Sequence, residues 1–94
     1  IYTWTLGPTY ETPSEIKMIR NYGGDAVGMS TLPEIIEAGY QNLNVWGFTC
    51  FTNMAAGIER GALTHSEVLM NAEKSKEYFK EFISELIITY KKEK

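Results

Sequence analysis

The sequence predicts an α/β fold in which parallel strands alternate with helices in the order β-α-β-α-β-α. Short runs of β-branched, aromatic or apolar residues, typical of strands, occur three times along the chain. Each run is followed by a Thr-x-x-Glu sequence, which is typical of the start of a helix. The C-terminal part of the chain carries apolar residues at the spacing of one helical face.

The first strand is predicted over Ile1–Leu6, where β-branched and aromatic residues precede a Gly-Pro pair. A helix should begin after Thr12, because threonine is a favourable N-cap and Pro13 fits the first helical position. Glu15 stands three residues after the cap and completes a capping box. The Gly23-Gly24 pair should end this helix.

The second strand is predicted over Asp25–Met29, which is short and largely apolar. Thr31 and Glu34 repeat the capping-box spacing, so a second helix should begin directly after this strand. Gly39 is predicted to close that helix, because glycine readily takes the left-handed conformation found at helix ends.

The third strand is predicted over Asn44–Phe51, which is apolar nearly throughout, as expected for a parallel strand covered on both faces. Met54–Leu63 is rich in glycine and alanine without a clear period, and is predicted to be a loop. Thr64 and Glu67 form a third capping box at the start of the last helix. The apolar face of that helix should consist of Val68, Leu69, Ala72, Phe79, Phe82, Ile83, Leu86, Ile87 and Tyr90.

The composition excludes several classes of protein. The 94 residues include 9 Lys and Arg against 12 Asp and Glu, and the net charge of −3 is a poor match for a nucleic-acid backbone. The single cysteine, Cys50, allows neither an internal disulfide nor a zinc cluster. No apolar run approaches the roughly 20 residues of a membrane helix, and no signal peptide is visible. We therefore expect a cytoplasmic protein.

The predicted sheet is incomplete. Three buried strands would leave open edges, which favour association with further strands. The chain also begins with Ile1 rather than methionine. We therefore expect residues 1–94 to be the C-terminal portion of one larger domain, whose N-terminal portion supplies the remaining strands.

Mostly polar residues follow the predicted strands at their carboxyl ends, where parallel sheets bind ligands. The candidate site residues are Tyr10, Glu11, Met29, Ser30, Thr52, Asn53 and His65. Glu11 precedes a helix, so it either compensates the helix dipole or accepts hydrogen bonds from N–H groups of a ligand. Tyr10 either packs against the protein or stacks on a planar ring.

Three further candidates also have two interpretations each. Ser30 either fills space beside the helix cap Thr31 or joins an anion site at the helix N-terminus. Asn53 either closes its strand with an Asx turn or presents a donor and an acceptor to a purine edge. His65, the single histidine, is either structural or a hydrogen-bonding partner of a sugar hydroxyl.

Four segments, in this order, closely resemble the C-terminal part of the trimeric purine nucleoside phosphorylases. They are Gly7–Thr12, Asp25–Thr31 with Pro33-Glu34, Thr52–Gly57, and His65 with Glu67–Leu69. The resemblance implies an α/β sandwich around a phosphorylase/hydrolase-like mixed sheet flanked by helices, and a homotrimer. It implies phosphorolysis of purine (deoxy)ribonucleosides to free base and (deoxy)ribose 1-phosphate. Inorganic phosphate would be the co-substrate, with no metal or organic cofactor.

The resemblance also implies roles for the residues that bind the base. Tyr10 resembles the aromatic residue that packs on the purine, and Glu11 resembles the carboxylate that binds the purine N1–H. Asn53 resembles the amide that binds N7 and O6, with Thr52 beside it. An amide that donates to N7 stabilises negative charge as it develops on the leaving purine. The resemblance implies that Asn53 and Glu11 are the catalytic residues.

The remaining candidates correspond to the sugar and phosphate parts of the family's site. Met29 resembles the residue under the ribose, Ser30 a phosphate-binding hydroxyl, and His65 the group that orients the ribose 5′-hydroxyl. The family's main phosphate-binding residues belong to the N-terminal portion, and no segment here resembles them. We therefore expect this chain to act together with that portion.

Two alternatives to this interpretation stay open. The chain could be a non-catalytic truncated fragment that only packs with a partner chain. It could also be a methylthioadenosine phosphorylase, a related family that carries aspartate where Asn53 stands and lacks a glutamate at the position of Glu11. The pair of Glu11 and Asn53 favours the 6-oxopurine nucleosides inosine and guanosine, because N1 of a 6-aminopurine carries a lone pair rather than a hydrogen.

Overall fold

The computed structural model describes residues 1–61 and 64–94, and shows two strands and three helices in the order β1-α1-β2-α2-α3. The elements are β1 (Tyr2–Trp4), α1 (Pro13–Asn21), β2 (Ala26–Gly28), α2 (Leu32–Tyr40) and α3 (His65–Glu93). The predicted mixed α/β class is therefore confirmed. The end of the predicted loop, residues 62–63, lies outside the described residues.

The chain divides into two compact units. The first consists of Ile1–Thr49 and Met54–Leu63, and contains both strands with α1 and α2. The second consists of Cys50–Asn53 and Thr64–Lys94, and contains α3. The predicted site residues are therefore divided between the units, with those after β1 and β2 in the first.

The two strands form a parallel sheet in which Tyr2 pairs with Ala26 and Trp4 with Gly28. The backbone N–H of Thr5 donates to the carbonyl of Gly28 at 2.9 Å and extends the pairing beyond β1. Parallel neighbours need a crossover connection, and α1 is part of the segment that provides it here. The sheet therefore confirms the predicted β-α-β order of the first half of the chain.

α1 begins and ends as the sequence predicts. The Thr12 hydroxyl accepts from the Glu15 N–H at 3.3 Å, and the Glu15 carboxylate accepts from the Thr12 N–H at 2.6 Å. Gly23 has a φ of 88°, and the N–H groups of Gly23 and Gly24 donate to carbonyls of the last turn. This is a Schellman ending, which satisfies carbonyls that would otherwise lack a partner. Ile16 on this helix is the one buried side chain among residues 1–61 and 64–94.

α2 begins differently, and the predicted capping box at Thr31 is wrong. Thr31 has φ 77° and ψ −54°, and its side chain makes no capping hydrogen bond. The Leu32 N–H donates to the Ser30 carbonyl at 2.9 Å, which makes Ser30–Leu32 a γ-turn. An N-cap residue needs extended backbone to aim its hydroxyl at the helix N–H groups, and the turn removes that geometry.

α2 also ends later than predicted, since Gly39 was expected to close the helix and the helix continues through it to Tyr40. Asn42 takes the left-handed conformation, with φ 55°. The Asn42 N–H donates to the Gly39 carbonyl at 3.1 Å, and the Leu43 N–H donates to the Ala38 carbonyl at 2.9 Å. The helix thus has a Schellman ending in which asparagine replaces the expected glycine.

The predicted third strand is not formed in this structure. Residues 44–51 have no regular secondary structure, and β1 and β2 are the two strands of the part that the structure describes. The side chain of Val45 is 41% exposed and that of Phe51 is 71% exposed, whereas the sequence predicted a strand covered on both faces. A strand exists through hydrogen bonds to a neighbouring strand, so apolar composition alone does not produce one.

α3 begins at the predicted capping box. The Thr64 hydroxyl accepts from the Glu67 N–H, and the Glu67 carboxylate accepts from the Thr64 N–H, both at 3.3 Å. Half-buried members of the predicted apolar face are Val68, Ile83, Leu86 and Tyr90, while Leu69, Phe79, Phe82 and Ile87 are exposed. None of the helices in the described residues combines the length and apolarity needed to cross a bilayer.

The caps predict unequal effects of three alanine substitutions. Thr12→Ala should raise amide exchange in the first turn of α1 about fivefold, because loss of an N-cap costs roughly 1 kcal/mol. Thr64→Ala should do the same at the start of α3. Thr31→Ala is the matched control and should not raise amide exchange at the start of α2, because Thr31 makes no capping bond. Equal effects of all three, measured by hydrogen–deuterium exchange, would contradict this assignment.

The start of α1 should weaken on acidification. The capping hydrogen bonds, chiefly the one from the Thr12 backbone N–H, lower the pKa of Glu15 below its ordinary value of 4.5. A carboxyl with a lowered pKa adds stability above its unfolded pKa, and this contribution disappears as pH falls through the folded pKa. Protection factors of the first turn should therefore be constant above about pH 5 and fall below it.

Glu15→Gln provides the control for this pH effect, because glutamine keeps an acceptor for the capping box but does not titrate. The variant should show protection that is flat across the same range. If the protection factors of the wild type are equally constant from about pH 6 to about pH 3, titration of Glu15 does not affect the stability of the start of α1.

Candidate functional site

Four of the predicted site residues lie in the loops that follow β1 and β2. Tyr10 and Glu11 come after β1, and Met29 and Ser30 come directly after β2. Because the two strands are parallel neighbours, both loops leave the sheet at the same edge. The structure therefore places these four residues on segments that begin side by side.

Glu11 is held in place by a hydroxyl that the sequence analysis did not identify. The Thr5 hydroxyl donates to Oε1 of the half-buried Glu11. The backbone N–H of the same threonine donates to the Gly28 carbonyl, so Thr5 is itself fixed to β2. The signal that could have indicated Thr5 is a hydroxyl residue at the carboxyl end of a predicted strand.

Met29 connects the two loops. A Cβ atom built on Gly7 would lie 2.6 Å from the Met29 sulfur, so the methionine side chain packs against the bare Cα of this glycine. Gly7 also has a φ of 64°, which other residues rarely adopt. The positive φ therefore favours glycine at position 7, and the absence of a side chain there allows the close contact with Met29.

Ser30 lies in a turn that is anchored to β1. Its carbonyl accepts from the Tyr2 hydroxyl at 3.0 Å, in addition to the Leu32 N–H of the γ-turn. The Tyr2 hydroxyl passes so close to Gly28 that a Cβ there would lie 2.3 Å from its oxygen. The exposed Ser30 hydroxyl is hydrogen-bonded to that of Thr31 at 3.2 Å, and it precedes a helix N-terminus, where anions bind favourably.

The backbone at Thr31 is strained. A β-branched residue at φ 77° is an outlier, with a cost of about 1–3 kcal/mol. The two hydrogen bonds to the Ser30 carbonyl hold this conformation in place. The strain therefore falls beside the predicted phosphate-binding hydroxyl.

The second unit contains Thr52, Asn53 and His65. The Asn53 side-chain N–H donates to the Thr52 hydroxyl at 3.0 Å, and both residues are half-buried. The Thr52 carbonyl accepts from the side-chain N–H of Asn71 on α3 at 2.7 Å. Segment Cys50–Asn53 is thus attached to α3 through Thr52, which is also the hydrogen-bond partner of the Asn53 amide. His65 is the first residue of α3, in the first turn as predicted, and is exposed.

Asn71 was also missed by the sequence analysis. It is half-buried, as are Val68 and Ser75, which lie one turn before and after it on α3. A polar residue within the apolar face of a helix usually has a specific hydrogen-bond partner, and that position was the available signal.

Residues 1–88 match the phosphorylase superfamily. The chain is 51% identical over 87 residues to purine nucleoside phosphorylase 1 of Geobacillus stearothermophilus, with 93% of this chain and 32% of that protein covered. It is 43% identical over 90 residues to purine nucleoside phosphorylase 1 of Bacillus subtilis, with 96% and 33% covered. A probable 6-oxopurine nucleoside phosphorylase of Moorella thermoacetica is 49% identical over 69 residues, with 73% and 26% covered.

The chain spans about a third of the length of the curated relatives that it matches over most of its own length. The predicted resemblance to purine nucleoside phosphorylases is confirmed by these relatives. Because the match extends over residues 1–88 and includes every predicted site residue, the chain belongs to the phosphorylase superfamily.

Proposed function

We propose that this chain provides the base-binding part of an active site for the phosphorolysis of purine nucleosides. The observation that carries the proposal is the Glu11 carboxylate, which Thr5 holds at the edge where β1 and β2 end. Support comes from relatives named purine nucleoside phosphorylase that are 43–51% identical to the chain. In the reaction, a phosphate oxygen bonds to C1′ of the sugar while the bond from C1′ to the purine nitrogen breaks.

The electrons of the broken bond move to the purine, so catalysis requires stabilisation of a developing negative charge. One side-chain N–H of Asn53 donates to Thr52, and the other would donate to N7 and O6 of a 6-oxopurine. Such a donor acts more strongly on the transition state than on the bound substrate, and therefore raises kcat. The hydrogen bond from Asn53 to Thr52 limits the rotation of this amide.

Glu11 would select 6-oxopurine nucleosides such as inosine and guanosine. The N1–H of a 6-oxopurine donates to a carboxylate, whereas N1 of a 6-aminopurine presents a lone pair to it. A buried acceptor without a donor is costly, and the adenine nucleosides should therefore react poorly. We assign Tyr10 to the face of the purine, where an aromatic ring packs well.

The sugar and phosphate would contact the other candidates. We assign Met29 to the ribose, Ser30 to phosphate and His65 to the 5′-hydroxyl. The Ser30 hydroxyl precedes α2, and its anchored turn keeps it near the helix N-terminus, where anions bind favourably. Inorganic phosphate would be the co-substrate, and we propose no metal or organic cofactor.

The proposed enzyme includes protein beyond this chain. We propose that a segment equivalent to the other two-thirds of the relatives completes the domain and the phosphate site, within a cytoplasmic homotrimer. The exposed apolar side chains of Trp46, Phe51 and Leu69 support a covering partner, because burial of apolar surface stabilises such contacts. A non-catalytic role in which the chain only packs with that partner is the alternative.

A chimera tests the proposal. We would replace the matched 87-residue segment of the Geobacillus stearothermophilus relative with this chain and measure hypoxanthine release from inosine. We expect release that depends on added phosphate, together with equimolar ribose 1-phosphate. The unmodified relative and a version that lacks the segment are the controls. An assembled chimera without activity would favour the non-catalytic role, and preference for methylthioadenosine over inosine would favour the second alternative.

Asn53→Ala in the chimera should lower kcat for inosine about 10²- to 10³-fold, with a smaller change in KM. The reason is that the amide interacts most strongly with charge that develops in the transition state. Asn53→Asp is the matched variant of similar shape. It should lower activity on inosine while lowering activity on adenosine less, because a carboxylate accepts from a 6-amino group. If Asn53→Ala raised KM by as large a factor as it lowered kcat, the assigned role would be contradicted.

A further inference from the structure

We propose that Thr5 is a positioning residue that orients the Glu11 carboxylate and thereby strengthens selection of 6-oxopurines. The proposal rests on the function proposed above, and it assigns a role to a residue outside the seven predicted site residues. It stands on the hydrogen bonds that connect Glu11, Thr5 and Gly28 within the first unit.

The Thr5 hydroxyl has a single proton to donate. The Thr5 oxygen is 3.5 Å from the Gly28 carbonyl, which is long for an O–H···O hydrogen bond. The same carbonyl already accepts from the Thr5 backbone N–H at 2.9 Å. The hydroxyl proton therefore goes to Glu11 Oε1, with which the hydroxyl has its shorter contact.

The hydrogen bond from Thr5 restricts the side chain of Glu11. A glutamate side chain has several rotatable bonds, and an unrestrained carboxylate loses that freedom when it binds a ligand. Thr5 is attached to β2 through its backbone, so its hydroxyl is a fixed donor. Because Oε1 accepts from this donor, we assign Oε2 to the N1–H of the purine. Glu11 is thus oriented before the ligand arrives, which lowers the cost of binding.

A restrained Glu11 carboxylate should distinguish 6-oxopurines from 6-aminopurines more strongly than a mobile one. A rigidly held acceptor binds a ligand N–H more tightly, and it binds less tightly a ligand that presents a lone pair at the same position. A mobile carboxylate would bind the N–H less well, and could also turn away from a lone pair. Loss of the Thr5 hydroxyl should therefore reduce the preference for inosine over adenosine, and act mainly through KM because the bond to N1–H exists in both substrate and transition state.

The test uses Thr5→Val, which keeps the shape of threonine without its hydroxyl, and Thr5→Ser, which keeps the hydroxyl. In the chimera, Thr5→Val should lower kcat/KM for inosine about tenfold, mainly through KM, and lower the adenosine value less than twofold. Thr5→Ser should restore the inosine value to within about twofold of wild type. Thr5→Ala replaces Thr5→Val if the valine variant does not assemble.

Two controls separate positioning from a general structural effect. Thr3→Val removes a hydroxyl from β1 two residues earlier, and should change both kcat/KM values less than about twofold. In a Glu11→Ala background, Thr5→Val should have no further effect on inosine, because the carboxylate that Thr5 orients is absent. Additive effects of the two substitutions would overturn the inference, as would equal losses on inosine and adenosine.

The two proposals fail in different ways. If the wild-type chimera assembles but releases no hypoxanthine, the proposed function is wrong and the role of Thr5 is wrong with it. If the wild-type chimera is active and Thr5→Val matches it on both substrates, the role of Thr5 alone is wrong.

Discussion

The parallel pairing of β1 with β2 positions the part of the site that lies in the first unit. The last hydrogen bond of this pairing, from the Thr5 N–H to the Gly28 carbonyl, also fixes the threonine whose hydroxyl holds Glu11. The packing of Met29 against Gly7 joins the loops a second time. Two strands of three residues each thus determine where the two loops begin that contain four of the seven predicted site residues.

The described residues bury little apolar surface. Ile16 is the one buried side chain among them, and large side chains such as Trp46 and Leu69 are more than half exposed. Burial of apolar surface contributes roughly 25 cal/mol per Å², so the structure gains little of this stabilisation by itself.

Local signals predicted local structure well. The capping boxes of α1 and α3 depend on residues three positions apart, and both formed. The same Thr-x-x-Glu spacing failed at Thr31, because the Tyr2 hydroxyl and the Leu32 N–H both bind the Ser30 carbonyl and hold a γ-turn there. The run at 44–51 failed as a strand for a related reason, since pairing requires a neighbour that composition does not specify.

The sequence alone was enough for the helix starts, the βαβ order of the first unit, and the motifs that indicated the phosphorylase family. These features depend on residues close together in the chain, or on segments that keep their order. The hydrogen bonds from Thr5 to Glu11 and from Asn71 to Thr52 became visible only in the folded chain. The first bond lies within the loop between β1 and α1, and the second joins Thr52 to α3. Each therefore depends on how the backbone folds in space rather than on a recognisable spacing of residues along the sequence.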